Sequence, residues 1–151
     1  MKGNWWFLDM SIETGVVLAK DESVIYWHLP PGRSVGYLPD SRDLWEVLLN
    51  NHQNLYGFAH SHPGSGPVAP SHEDLTTFSA VERGLGRRLV WPITSSDHVA
   101  FFTWKGPGLY DYAHGGQFED GEEDWEIPDW LIKLRELSNL IAVSIESQQG
   151  L

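Results

Sequence analysis

Three side chains able to hold a metal ion lie within fifteen residues of one another. They are His60 and His62 in the run His60-Ser61-His62-Pro63, and Asp74 in Pro70-Ser71-His72-Glu73-Asp74. Side chains alternate across a strand, so His60 and His62 project to one face. Pro63 ends that strand, and a Gly- and Pro-containing loop from 64 to 70 turns the chain back. Asp74 then falls in the first turn of a helix and can bring an oxygen to the same ion. Two imidazoles and one carboxylate leave a tetrahedral ion one open position. That is the arrangement of a catalytic zinc rather than a structural one. Such an ion lowers the pKa of water toward neutrality and polarises a carbonyl. Ser71 with Asp74 is also an ordinary helix start signal, and the two roles are compatible.

Composition narrows the chemistry further. The chain has no cysteine, which removes disulfides, thiolate metal sites and a cysteine nucleophile. A transition metal must therefore be held by His and carboxylate. Ten Lys and Arg against 21 Asp and Glu give a formal charge of -11, which disfavours a nucleic-acid partner. No segment is apolar enough for a membrane span or a signal peptide, so no membrane partner is expected and the expected compartment is the cytoplasm. At 151 residues, with eight Trp, six Phe and five Tyr, the chain suits one domain with a substantial core.

These residues need elements to position them. Residues 14–20 and 23–29 read as a β-hairpin closed by Lys20-Asp21-Glu22 and ended by Pro30-Pro31-Gly32. A helix is expected over 41–53, capped by Asp40 or Ser41, with Leu44, Val47 and Leu48 at helical spacing. Residues 55–60 read as a buried strand. A second helix is expected from Ser71 to about Arg83, stopped by Gly84 and Gly86. Residues 88–94 and 98–104 read as strands around the turn Ser95-Ser96-Asp97, and 109–112 as an edge strand. Residues 117–126 are expected to form an acidic linker, and 129–146 a last helix that either covers the core or docks a partner. Strands and helices mixed in this order give the class α/β (α+β), a single mixed β-sheet flanked by helices.

Taken together, His60-Ser61-His62-Pro63 and Ser71-x-x-Asp74 resemble the JAMM signature of the JAB/MPN zinc metallopeptidases. That signature also has an upstream Glu heading a Gly- and aliphatic-rich strand, and Glu13-Thr14-Gly15-Val16-Val17-Leu18 is similar to it. The resemblance covers roughly residues 10 to 112. It implies a JAB/MPN-like (cytidine-deaminase-like) architecture over a single domain, 1–151. It implies that His60, His62 and Asp74 ligate Zn2+, that Glu13 is the general base, and that Ser71 donates a hydrogen bond to the developing oxyanion. Glu22 and Glu46 are the other acidic residues weighed for the base, and His72 is expected in solvent. The implied activity is hydrolysis of an amide or isopeptide bond in a protein or peptide substrate. The scissile bond would follow the C-terminal glycine of a ubiquitin-like or sulfur-carrier-like protein.

The chain departs from the family pattern in two ways. The loop between Pro63 and Ser71 holds seven residues, one more than usual, and the helix that normally precedes the Glu strand is expected to be missing or reduced. The chain is most similar to compact prokaryotic or phage-like members. The other readings are a non-catalytic MPN-type scaffold, a homodimer built on the last helix, and a mobile-element peptidase acting on structural-protein or cell-wall peptides.

Overall fold

The computed structural model describes residues 11–140. Among them, three α-helices pack on a single mixed six-stranded sheet. The strands are β1 (Gly15–Ala19), β2 (Val24–His28), β3 (Leu55–Ser61), β4 (Trp91–Thr94), β5 (His98–Trp104) and β6 (Tyr112–Glu119). The helices are α1 (Arg42–Asn50), α2 (His72–Leu85) and α3 (Asp129–Leu137), and a short 3-10 turn follows α1 at His52–Asn54. The sheet order is β2-β1-β3-β4-β5-β6. All neighbours are antiparallel except β3 and β4, which run parallel and are joined through α2. The mixed α/β class expected from the sequence is therefore present.

Each face of the sheet has its own apolar layer. Val17, Phe58, Trp91 and Ile93 pack with Leu44 and Leu48 of α1 and Phe78 of α2 on one face. Val16, Leu18, Ala59 and Val99 pack with Trp130, Leu131 and Leu134 of α3 on the other. The alternation of Val16, Val17 and Leu18 between the layers explains why β1 is apolar throughout: it is covered on both sides. α3 is thus core cover over its described length. One close approach sets the centre of the sheet. A Cβ on Gly57 would lie 1.7 Å from the Val90 carbonyl oxygen, so only glycine lets β3 pass Val90.

Helix ends follow their caps. Ser41, not Asp40, caps α1 by accepting from the Leu44 N–H at 3.0 Å. Gly84 lies inside α2, and Gly86 ends that helix in the left-handed region at φ 71°.

Several boundaries differ from the sequence expectation. β4 begins at Trp91 rather than residue 88, because Arg88 and the Leu89 N–H are drawn to Glu82 of α2. Residues 106–111 form a turn, with the Asp111 carboxylate accepting from the Gly108 N–H at 2.7 Å. The edge strand therefore starts at Tyr112 instead of 109 and runs through the glycines to Glu119. The acidic linker correspondingly loses residues 117–119 to β6, and Asp120 pairs with Arg135 of α3 at 2.8 Å. The last helix stops at Leu137, with Asn139 at φ 60° just beyond it. Residues 141–146 of the expected helix, and the segment ahead of β1 up to residue 10, lie outside the described residues. No helix among the described residues is long and apolar enough to cross a membrane.

Candidate metal centre

The structure brings Glu13, His60, His62, Ser71 and Asp74 to the wall of one cleft of about 370 Å³. The cleft lies on the α1/α2 face, at the carboxyl end of the parallel pair β3–β4. His60 is the penultimate residue of β3, and His62 follows its end. The His62 N–H still donates to the Thr94 carbonyl at 2.8 Å, so the strand geometry continues through it. Ser61 points the other way. Its Oγ accepts from the Thr14 N–H at 3.0 Å and from the Ser138 hydroxyl at 2.7 Å. That anchoring fixes the alternation and directs both imidazoles to the cleft.

The two Nε2 atoms are 3.1 Å apart. Asp74 meets both, with Oδ2 3.0 Å from His62 Nε2 and Oδ1 3.2 Å from His60 Nε2. A tetrahedral ion with ligand bonds of roughly 2.0–2.1 Å sets its donor atoms about 3.3 Å apart. The three spacings fall within a few tenths of an ångström of that value, and the donors are of the types zinc takes. Glu13, His60 and His62 also offer ligand atoms within 4.8 Å of one another. The residues present therefore fit a zinc ion.

Asp74 is held twice. Its carboxylate also accepts from the Ser71 N–H at 2.9 Å, while Ser71 Oγ accepts from the Asp74 N–H at 3.1 Å. This capping box starts α2. The anticipated cap is present, and both residues also line the cleft.

The seven-residue loop from 64 to 70 decides where α2 begins, and it is tied down. The Gly66 N–H donates to Asp97 Oδ1 at 2.8 Å, the Ser95 hydroxyl to the Gly66 carbonyl at 2.7 Å, and the Ser96 N–H to the Gly64 carbonyl at 3.0 Å. Gln117 of β6 brackets Val68 with two bonds, at 3.0 and 2.8 Å. These braces were invisible locally in the sequence, because they join segments about thirty to fifty residues apart.

Glu13 lies in the extended lead-in to β1. Its N–H donates to the Ser34 carbonyl at 2.9 Å, and Arg33 donates to Thr14 Oγ1 at 2.6 Å. The backbone is thereby clamped while the carboxyl faces the cleft. Burial pushes this carboxyl up from its ordinary 4.5 to about 7; His62 pulls it down, and Asp74 and Glu73 push it up. Asp74 moves the opposite way. Burial alone would raise it, but hydrogen bonds from His60, His62 and the Ser71 N–H hold it well below the usual carboxylate range.

The other weighed residues lie elsewhere. Glu22 sits in the hairpin turn at φ 67°, and Glu46 pairs with Arg42 on the outer side of α1. His72 is exposed and makes an edge contact with Tyr110, 5.9 Å between ring centres. The sequence reading missed Glu73, which lines the cleft, and the apolar wall supplied by His28, α1 and the loop 36–40. No protein-family model matches the sequence, and no curated protein matches it.

Proposed function

We propose that this chain is a zinc-dependent peptidase or isopeptidase of the JAMM (JAB/MPN) type. The observation that carries the reading is the convergence of His60 Nε2, His62 Nε2 and the Asp74 carboxylate within 3.0–3.2 Å, with Glu13 beside them. His60, His62 and Asp74 would hold the ion. Zinc bound there supplies an acidified water and a polarised amide carbonyl.

The chain's own residues do the rest. Glu13 takes a proton from the attacking water and delivers it to the departing amine, as general acid-base catalysis by one carboxyl requires. Asp74, held ionised, keeps its charge for the metal. Two carboxyls in one cleft with pKa values driven apart are the usual mark of such a division of labour. The Ser71 hydroxyl, on the rim, donates to the carbonyl oxygen as it gains charge. The expected substrate is a protein or peptide, with the tail of a ubiquitin-like or sulfur-carrier-like protein as the first class to test.

Elemental analysis of the purified chain, alongside His62→Ala and Asp74→Ala, tests the ion. About one zinc per chain, lost in both variants, is expected. A folded wild-type chain that takes up no zinc after reconstitution would end the proposal. Cleavage of fusions to ubiquitin-like tails tests the substrate class separately.

A further inference from the structure

A second group of ligand-type side chains lies against the loop 64–70. Asp97, His98 and Glu119 each offer one ligand atom, and these atoms lie within 4.8 Å of one another. His98 opens β5 and pairs directly with Glu119, the last residue of β6, so the two side chains share a face of the sheet. That face is the one under α1 and α2, because the next pair, Val99 and Phe118, packs with α3 on the other. Asp97 comes from the turn before β5. Its carbonyl accepts from the Asp120 N–H at 2.9 Å, which draws the end of β6 to that turn.

The charge of this group is unbalanced. Two carboxylates stand at one imidazole, and among the described residues neither forms an ion pair with Lys or Arg. Asp120, the next residue along, is by contrast paired with Arg135. The spacing also suits an ion. Asp97 Oδ1 and His98 Nδ1 are 2.8 Å apart. Donors at right angles on an octahedral ion with bonds of about 2.1 Å lie roughly 3.0 Å apart. Glu119 is exposed, so its carboxylate can swing onto the same ion, and water can complete the shell from the open side. An imidazole with two carboxylates is a donor set for a divalent first-row transition ion rather than for calcium or magnesium.

We propose that Asp97, His98 and Glu119 bind such an ion, and that it ties the turn before β5 and the end of β6 to the loop 64–70. Asp97 is the residue on which Gly66 of that loop hangs, so fixing its carboxylate fixes the loop. Three protein donors, two of them on solvent-accessible carboxylates, make an exchangeable site. It fills on titration and is lost on purification, and so leaves the zinc content expected of the purified chain unchanged. The site does not depend on the peptidase reading.

The test is a Mn2+ titration of the full chain carrying His62→Ala, which breaks the His60–His62–Asp74 cluster and leaves this one intact. Paramagnetic broadening of the backbone NMR signals locates the ion. The amides of Gly66, Asp97, His98 and Glu119 are expected to vanish first. Glu119→Gln in the same background, at an exposed position, should erase that pattern and weaken Mn2+ binding by roughly tenfold or more. Mn2+ should raise the unfolding temperature of the His62→Ala chain but not of the double variant. Broadening centred on residues 120–126 would mean diffuse attraction to the acidic run and overturns the site. Broadening around His60 and Asp74, unchanged affinity in the double variant, or no binding below millimolar Mn2+ overturns it too. Zinc content of the wild-type chain tests the first centre separately, so either site can fail while the other stands.

Discussion

A carboxylate oxygen of Glu13 and a ring nitrogen of His62 lie within 4.8 Å of each other. Each residue stands just outside a paired strand, Glu13 two residues before Gly15 and His62 two after His60, and Gly15 pairs with His60. The Glu13 N–H is held by the Ser34 carbonyl and the His62 N–H by the Thr94 carbonyl, which fixes both backbones beside the cleft. Glu13→Gln keeps shape and hydrogen bonding but cannot accept a proton. Amide hydrolysis should fall by roughly 10²–10⁴-fold, the usual worth of a general base, with zinc content unchanged. Equal activity in the variant would remove Glu13 from the mechanism.

The raised pKa of Glu13 also gives a stability signature in the metal-free chain. The folded state holds the proton up to about 7, whereas the unfolded chain releases it near 4.5. Between those values the folded state binds more protons, so stability falls as pH rises through that window. Glu13→Gln should flatten this slope, and zinc should too, because a cation beside the carboxyl favours its ionised form. Asp74 acts in the other direction. Its contribution is complete above 3.8 and is lost only as pH falls below that. Urea unfolding of the EDTA-treated wild type and Glu13→Gln between pH 4.5 and 7.5 would reveal the difference. Parallel profiles would mean that Glu13 titrates normally.

Ser71 and Asp74 can be separated by two substitutions. Asp74→Asn retains an oxygen to accept from the Ser71 N–H, so α2 should stay capped while zinc binding collapses. Ser71→Ala removes the acceptor for the Asp74 N–H and should cost about 1 kcal/mol of stability, with zinc retained. Loss of the Ser71 hydroxyl should also lower the rate of amide hydrolysis by roughly tenfold or more if it faces the oxyanion. Stability curves and elemental analysis on the same two proteins distinguish cap from ligand.

Much of this site is legible in the sequence because its parts are local. His60 and His62 are two residues apart, and Asp74 follows one loop later with its own capping signal. The strand and helix that carry them have clear apolar patterns and a left-handed glycine end at Gly86. β6 is not legible. Its residues Tyr-Ala-His-Gly-Gly-Gln-Phe-Glu lack alternation, and it is mostly exposed because it is an edge strand. It exists because β5 offers it a ladder from Trp104 to His98. The end of α3 is hidden for a related reason. Leu137 and Leu140 continue the helical apolar spacing, but Asn139 adopts φ 60°, and Leu140 is buried from a turn instead. The apolar side of the cleft depends on His28 reaching the row of His60 through Gly15, a relation that only the register reveals.

Arg135 provides the last test, because it joins the face under α3 to the turn that braces the loop 64–70. It is 6% exposed, bonds both oxygens of Asp120 at 2.8 and 3.0 Å, and donates to Thr94 Oγ1 and the Ser95 carbonyl. Ser95 in turn holds Gly66. Removing the guanidinium strands these acceptors in a largely buried place. Arg135→Met, which keeps the apolar stem, should therefore cost about 2–3 kcal/mol rather than the few tenths typical of a surface change. If the brace also positions α2, the variant should bind zinc several-fold more weakly while remaining folded. Arg135→Lys should restore little of either, since one ammonium cannot replace both Nη1 at Asp120 and Nε at Thr94 and Ser95. Thermal unfolding and zinc titration together give the answer. A stability loss with unchanged zinc affinity would show that the loop is held without the Arg135 brace.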